Sequence, residues 1–343
     1  MKKTFFHLMA VVLSVATIAS VTTSCVDTEE YKDTPSGNFE ALWTIIDEHY
    51  CFFDYKQQEY GLDWNSVYQK YKVRIHDNMK TTQLFEVCCD MLSELRDGHV
   101  NLTSAMNYGR YWKWQENYPK NFSDTLYRHY MGTDYRISSG LSFRVLDDNV
   151  GYVYCPTFEN PIGEGNLNEV FSYLALCRGL IIDIRNNGGG DLTMAERFAA
   201  RFVQQKTLVG YMQHKTGPGH HDFSDKEPWY LEPSSNMRWH KKVCVLTNRS
   251  VYSAANAFVM MMHALPHVTL VGDKTGGGSG MPMNSSLPIG WNVRYSACPM
   301  YDCNGQQTEF GIDPDVKVDL TDDSRLHDVD DIIEKARKII ASE

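Results

Sequence analysis

Apolar residues recur at helical spacing between residues 38 and 95, where they predict three amphipathic helices. The residues that would share each buried face are Phe39, Leu42, Trp43 and Ile46; Trp64, Val67, Tyr68, Tyr71 and Ile75; and Leu84, Cys88, Met91, Leu92 and Leu95. Asn38 and Asp63 directly precede the first two helices and are expected to cap them. Gly98 is expected to end the third helix in a left-handed conformation. The pattern predicts a small helical N-terminal domain over residues 38–103.

Beyond residue 139, short apolar runs alternate with amphipathic stretches. The runs predict strands over residues 141–145, 150–154, 180–184, 243–247 and 268–271, and the stretches predict helices over 167–174, 192–204, 254–265 and 327–340. Strands that alternate with helices are typical of an α/β (α+β) fold, so we expect a βαβ core domain over residues 140–343. Residues 104–139 show no clear period and predict a connector, and residues 211–240 predict a long loop.

The N-terminus has the pattern of an export signal. Lys2 and Lys3 precede an apolar stretch, and small residues then lead to Cys25. This pattern predicts a signal peptide over residues 1–24, and Cys25 resembles the acylated cysteine of bacterial lipoproteins. The polar residues 25–37 predict a tether. We therefore expect a lipid-anchored protein of the cell envelope, at the outer membrane on its periplasmic or surface face. A soluble secreted protein is the alternative.

The composition is that of a globular protein, because 43% of the 343 residues are hydrophobic and 22% are charged. With 33 basic against 43 acidic residues and no Lys/Arg run, no nucleic-acid partner is expected. The cysteines lack CxxC spacing, and the adjacent His220 and His221 have no carboxylate at ligand spacing, so no metal is expected. Cys298 and Cys303 flank a predicted turn and could pair, with free thiols as the alternative. The oligomeric state is left open.

Ser253 lies where a predicted strand and turn lead into the helix that is predicted from residue 254. The unpaired N–H groups and the positive end of a helix can face a developing oxyanion, which suits a nucleophile. A nucleophile also needs an activating base and exposure at the top of a sheet. The alternative is that Ser253 only caps the helix.

Three glycines, Gly188, Gly189 and Gly190, follow the strand predicted over residues 180–184. Backbone without Cβ can approach a ligand closely and point N–H groups at an anion. A phosphate cradle would be expected to show a GxxxxGK[ST] or GxGxxG motif, and the chain contains neither. The glycines therefore favour an anion site other than a nucleotide site.

Five motifs follow one another along the chain. They are Leu95-Arg-Asp-Gly-His-Val100, Ile182-Asp-Ile-Arg-Asn-Asn-Gly-Gly-Gly190, Leu246-Thr-Asn-Arg-Ser-Val-Tyr-Ser-Ala-Ala-Asn256, Val271-Gly-Asp-Lys-Thr-Gly-Gly-Gly278 and Gly311-Ile-Asp-Pro-Asp315. Together they resemble the tail-specific, or C-terminal processing, peptidases, and more closely the branch that contains the tricorn protease core. The resemblance implies a ClpP/crotonase-like βαβ core, a serine peptidase activity and no cofactor.

The resemblance also implies which side chains react. In the processing branch a lysine activates the serine, but Gly278 occupies that position here, and Lys274 is kept as an alternative base. In the tricorn-like branch a histidine is the base, and His99 lies where that histidine is expected. Glu309 lies one residue from the position of the glutamate that orients it. The implied catalytic residues are therefore Ser253, His99 and Glu309.

By the same resemblance, the N–H groups of Ala254 and of Gly188 or Gly189 would form the oxyanion hole. The implied reaction is hydrolysis of a peptide or unfolded protein through an acyl-enzyme on Ser253. The connector over residues 104–139 is too short for a PDZ domain of roughly 80 to 100 residues, so tail specificity is not implied. The alternative is an inactive family member that binds a peptide or apolar ligand in the same cleft.

Overall fold

The computed structural model describes residues 31–113 and 116–342, which form ten helices and thirteen strands. The helices are α1 (Pro35–His49), α2 (Phe53–Tyr60), α3 (Trp64–Lys72), α4 (Thr81–Ser93), α5 (Asp124–Met131), α6 (Glu164–Leu174), α7 (Leu192–Ala199), α8 (Ala254–His263), α9 (Asp322–Leu326) and α10 (Asp331–Ala341). The predicted signal peptide and Cys25 lie outside the described residues. Among the helices of the described part, none is long and apolar enough to cross a membrane.

The strands form two sheets. They are β1 (Asn101–Thr103), β2 (Tyr108–Arg110), β3 (Arg136–Ser138), β4 (Leu141–Val145), β5 (Val150–Tyr154), β6 (Gly179–Asp183), β7 (Thr207–Met212), β8 (Glu227–Leu231), β9 (Val243–Thr247), β10 (Val268–Gly272), β11 (Gly280–Ser286), β12 (Asn292–Asp302) and β13 (Val316–Lys317). The larger sheet has the order β13-β10-β9-β6-β5-β4-β3. The second sheet has the order β2-β1-β12-β7-β8. A sixth strand, β11, also pairs with β12.

The larger sheet is the core of the α/β fold. Its five strands β5, β6, β9, β10 and β13 are parallel, and β3 and β4 are antiparallel. Every residue of β6 and β9 is buried, as expected for strands covered on both faces. The mixed α/β architecture confirms the predicted fold class. The strands predicted over residues 141–145, 150–154 and 243–247 have the observed bounds of β4, β5 and β9.

The first helix begins earlier than its apolar pattern predicts. α1 starts at Pro35, and its N-cap is Thr34, whose side chain accepts a hydrogen bond from the N–H of Gly37. Asn38 is therefore not the cap; it is buried inside the helix, where its amide donates to Asp33 and to the Thr34 carbonyl. The predicted tether over 25–37 ends in helix, because a proline in the first turn suits a helix start as well as a linker.

Other helix boundaries also differ. α4 ends at Ser93, and the positive φ that follows it belongs to Arg96 (46°), so the predicted left-handed cap at Gly98 is wrong. Asp63 caps α3 as predicted, accepting from the N–H of Ser66. The pattern did not predict α2, because only two of its residues are buried and it has no continuous apolar face.

The predicted connector and loop both contain regular structure. Residues 104–139 include β2, α5 and β3, and residues 211–240 include β8 and the end of β7. The predicted turn between Cys298 and Cys303 lies within β12, and both cysteines are free thiols. Of the two alternatives, the free thiols are therefore the ones observed, and residues 299–302 at the end of β12 separate the two cysteines. α7 and α8 are shorter than predicted, and α10 begins four residues later.

The N-terminal helices share their core with the second sheet. Phe39, Leu42 and Met91 pack in one apolar cluster with Val293 and Tyr295 of β12. The helical unit predicted over 38–103 therefore rests on β12. This packing holds the segment after α4 at a defined position beside the larger sheet.

A buried ion network fixes the carboxyl end of β6. The guanidinium of Arg185 donates to Asp183 at 2.7 Å and to Asp330 at 3.0 Å, and all three side chains are almost fully buried. The hydroxyl of Tyr152 also donates to Asp183, at 2.8 Å. Because Arg185 directly precedes the glycine-rich loop over residues 186–190, the network holds the start of that loop.

This network predicts a large effect of removing its cation. Arg185→Met leaves the carboxylates of Asp183 and Asp330 buried without their partner, so we expect the free energy of unfolding to fall by roughly 3–5 kcal/mol. Urea unfolding measures the change. Arg128→Met is the matched control, because Arg128 pairs with Asp124 at an exposed position of α5 and should change stability little. Equal effects of the two substitutions would contradict the prediction.

Candidate active site

Ser253 lies in the turn between β9 and α8, directly before Ala254. Its φ of 57° and ψ of −125° are unusual for a residue that carries a side chain. Its side chain makes no capping hydrogen bond, so the interpretation that Ser253 only caps α8 does not describe it. The N–H of Ser253 donates to Gly277 O at 2.9 Å, and the N–H of Tyr252 donates to Asn187 O at 3.1 Å. The turn is thus held between the glycine-rich loop over residues 186–190 and a second glycine-rich loop over residues 276–278.

The imidazole of His99 lies beside this hydroxyl. Its Nε2 atom is 2.9 Å from Ser253 Oγ, although the two residues are 154 positions apart in the sequence. This distance permits direct proton transfer. The structure therefore brings together the serine and the histidine that the motifs single out.

Asp97 anchors the segment that carries His99. Its Oδ1 atom accepts a hydrogen bond from the backbone N–H of His99 at 2.8 Å. Its Oδ2 atom accepts from the hydroxyl of Tyr50 at 3.0 Å and from that of Ser296 at 2.8 Å. Tyr50 follows α1 and Ser296 belongs to β12, so one carboxylate ties the histidine to both elements.

Burial shifts the pKa values of both groups. Desolvation lowers the pKa of His99 from 6.5 to about 4, and the nearby Asp97 carboxylate only partly offsets that effect. Desolvation acts to raise the pKa of Asp97, but the charges of Lys56 and His99 and its hydrogen bonds hold that pKa below its usual value. His99 is therefore neutral, and Asp97 ionised, over most of the pH range.

The structure does not place Glu309 in contact with His99. One oxygen of Glu309 accepts from Lys56 Nζ at 2.9 Å, and the other accepts from the N–H of Ser279 at 3.0 Å. The Nδ1 atom of His99 is buried and has no hydrogen-bond partner among the described residues. The expectation that Glu309 directly orients His99 is therefore corrected. The carboxylate of Glu309 instead accepts hydrogen bonds from Lys56 and from the backbone N–H of Ser279.

Lys56 is the charged residue that sequence reasoning missed. It lies on α2, the helix without an apolar period, and is 2% exposed. Desolvation and the Asp97 charge raise the pKa of Glu309 to about 7, against the opposing charge of Lys56. No motif marks Lys56, because its partner lies 253 residues away in the sequence.

Of the three N–H groups expected in the oxyanion hole, those of Gly188 and Ala254 remain available. The N–H of Gly189 donates to the Asn187 side chain at 2.9 Å, whereas those of Gly188 and Ala254 make no backbone hydrogen bond among the described residues. Gly189 has a φ of 106°, and a Cβ there would lie only 2.8 Å from Ser253 Cβ. Glycine is therefore required at 189 for the loop to approach the serine.

The alternative lysine base, Lys274, pairs with a carboxylate and is not part of the cavity lining at Ser253. Lys274 Nζ lies 3.5 Å from Asp313 in a partly exposed ion pair. At Gly278, where the processing branch has its lysine, φ is 74° and a Cβ would lie 2.4 Å from the Tyr252 ring. The ring of Tyr252 thus fills the space into which a side chain at 278 would project.

A cavity of about 330 Å³ opens at the serine and the histidine. It is lined by His99, Gly190, Asp191, Leu192, Ser253, Ala254, Ala257, Gly278, Gly280, Met281, Pro282, Arg294 and Met300. Leu192, Ala257 and Met300 make part of the wall apolar. The N-terminus of α8, both glycine-rich loops and the β11-β12 pair thus meet around one cleft.

The adjacent histidines bind carboxylates that are remote in sequence. His220 lies 2.8 Å from Asp47 and His221 lies 2.9 Å from Asp54. These pairs join the segment over residues 211–240 to the N-terminal helices. Across residues 31–113 and 116–342, no group of three or more potential ligands is arranged to hold a metal ion.

Two family models match parts of this chain. The model of peptidase family S41 matches residues 149–318, and the model of the tricorn protease C1 domain matches residues 31–93. A solved structure of a candidate peptidase from Parabacteroides merdae is 47% identical and superposes with a TM-score of 0.85. That match covers 91% of this chain and 98% of the other.

More distant relatives show the same relationship. The carboxy-terminal processing protease CtpA of Bacillus subtilis is 24% identical over 183 residues, which are 52% of this chain but only 37% of that protein. The structure of mature CPAF complexed with lactacystin is 12% identical, covers 90% of this chain and 97% of its own, and shares the fold with a TM-score of 0.65. The family model and the nearly complete match at 47% identity show that the chain belongs to peptidase family S41, the family of C-terminal processing serine peptidases.

Proposed function

We propose that this protein is a serine endopeptidase in which Ser253 is the nucleophile and His99 is the general base. The observation that carries the proposal is the distance of 2.9 Å between His99 Nε2 and Ser253 Oγ, at the N-terminus of α8. Membership in family S41 implies a peptide or protein substrate. The neutral state of His99 supports its role, because only an unprotonated Nε2 can accept the serine proton.

The reaction follows from these positions. His99 Nε2 takes the proton of Ser253 as Oγ forms a bond to the peptide carbonyl carbon. The N–H groups of Gly188 and Ala254 donate to the resulting oxyanion. The C–N bond breaks as His99 returns the proton to the leaving amine. Water, deprotonated by His99, then attacks the ester carbon, and Ser253 regains its proton.

Asp97 and Glu309 act in this proposal as positioning residues. Asp97 fixes the backbone of His99, and the ring of Tyr252, 5.0 Å away between centroids, packs against the imidazole. Glu309, held by Lys56, accepts the N–H of Ser279, which directly follows Gly278 in the second glycine-rich loop. The Lys56–Glu309 pair therefore holds this loop in place beside His99 and makes no hydrogen bond to His99 itself among the described residues.

From the sequence pattern alone, we also propose where the protein is located. Residues 1–24 would be removed as a signal peptide, and Cys25 would carry the lipid that anchors the enzyme in the cell envelope. At the outer membrane, such an enzyme would meet unfolded or peptide substrates of the envelope.

Reaction with a fluorophosphonate probe tests the nucleophile and its base. We expect the purified protein to be labelled once, Ser253→Ala to be unlabelled, and His99→Ala to react slower by on the order of a hundredfold. Intact-mass measurement gives the stoichiometry and rate. Ser286→Ala and His129→Ala change exposed residues and are the matched controls. Failure of the folded protein to react would contradict the proposal and favour the inactive, ligand-binding alternative.

The two neighbouring glycines provide a second test of the oxyanion hole. A Cβ at Gly189 would meet Ser253 and the Tyr252 carbonyl at 2.8 Å, whereas a Cβ at Gly188 meets no atom within 4 Å. Gly189→Ala is therefore expected to reduce the labelling rate by at least about tenfold, and Gly188→Ala to change it much less. Circular dichroism establishes that both variants are folded. Equal rates for the two variants would show that this close approach is not needed.

The lowered pKa of His99 predicts an unusual pH profile. The base loses activity only when it is protonated, so the labelling rate should fall as the pH drops through about 4. A solvated histidine would place this decline near its ordinary pKa of 6.5. Second-order rate constants over the acid range, on protein shown to be folded at each pH, measure the midpoint. A midpoint near 6.5 would contradict a buried base.

A further inference from the structure

Arg294 is a cation in the candidate active site that has no partner in the described part of the chain. It lies in β12, lines the same cavity as Ser253 and His99, and is half-buried. Within the described residues, its guanidinium makes no hydrogen bond and no ion pair. Buried Arg185, in contrast, binds two carboxylates. A partly buried cation is normally paired, so an unpaired one in a substrate cleft suits an anionic ligand.

The strand pairing explains why Arg294 faces the site. Side chains alternate across a strand, so Arg294 shares a face of β12 with Ser296, whose hydroxyl donates to Asp97. Arg294 also pairs in register with Asn101 of β1, two residues after His99. Its positive charge is close enough to contribute to the lowered pKa of His99. The guanidinium therefore lies beside the base.

Proximity to the base indicates which part of a substrate Arg294 would contact. The imidazole gives its proton to the leaving amine, so a group beside His99 adjoins the leaving segment of the substrate. Near the N-terminus of α8 the cavity wall is formed by apolar Leu192 and Ala257. The acidic residue in the lining, Asp191, caps α7 and accepts a hydrogen bond from the N–H of Thr193.

We propose that Arg294 binds a carboxylate on the leaving segment of the substrate and thereby selects where the chain is cut. The carboxylate is either the C-terminus of a short leaving peptide or an Asp or Glu side chain within it. A guanidinium binds a carboxylate through two parallel hydrogen bonds, which fix the direction of the peptide as well as its charge. This inference rests on the proposed peptidase function of the same site.

Matched peptides distinguish the two sources of the carboxylate. One set ends shortly after the cleaved bond in a free carboxylate or an amide, and a second, amidated set carries Asp or Asn at each leaving position. For the wild-type protein, we expect kcat/KM to favour the carboxylate form of one set by roughly tenfold or more. Arg294→Gln should abolish this preference and Arg294→Lys should retain part of it. Arg128→Gln, which removes an exposed cation on α5, should leave it intact.

A preference that persists in Arg294→Gln, or a wild-type protein without any preference, would overturn the inference. Calorimetric binding of the same peptides to Ser253→Ala, with and without Arg294→Gln, separates this result from the proposed function. Carboxylate binding that depends on Arg294 without any cleavage by the wild type would reject the peptidase and keep the anion site. Cleavage without dependence on Arg294 would do the reverse. Thermal unfolding of each variant controls for loss of the fold.

Discussion

The carboxylate of Asp97 is the point at which four parts of the chain meet. It accepts hydrogen bonds from Tyr50, which follows α1, from Ser296 of β12, from the backbone of His99 and from the hydroxyl of Tyr252, which directly precedes Ser253. A buried carboxylate is costly unless donors surround it, so these parts are stable in one arrangement only. The contact between His99 and Ser253 follows from that arrangement, because Asp97 binds the backbone N–H of His99 and the hydroxyl of Tyr252, which directly precedes Ser253.

The second consequence of burial is electrostatic. His99, Asp97, Lys56 and Glu309 are each at most 5% exposed, so their charges act on one another with little screening by water. The same desolvation that keeps His99 neutral raises the pKa of Glu309, since each group avoids its charged form. In such surroundings, backbone N–H groups aimed at a developing oxyanion stabilise it more than they would in water. A dry site thus favours both the proposed base and the candidate oxyanion hole.

Close backbone packing favours a histidine over a lysine as the proposed base. The loop at Gly189 can touch Ser253 only because no Cβ intervenes, and Gly278 leaves room for the ring of Tyr252. The Tyr252 ring packs against His99, and its hydroxyl donates to Asp97. Tyr252 therefore supports the histidine from the space that a side chain at position 278 would otherwise enter. Volume as well as residue identity therefore favours a histidine over a lysine as the proposed base.

The sequence by itself determined the α/β class, the strands beside Ser253 and the motifs that contain Ser253 and His99. It could do so because hydrophobic period and turn chemistry are local properties of neighbouring residues. Only the tertiary structure decided that Lys56 pairs with Glu309 and that Arg294 lines the cleft. It also decided that β12 continues through the turn predicted between Cys298 and Cys303. These features depend on pairing between residues far apart in the chain, and no local pattern encodes which distant side chain will fill a buried position.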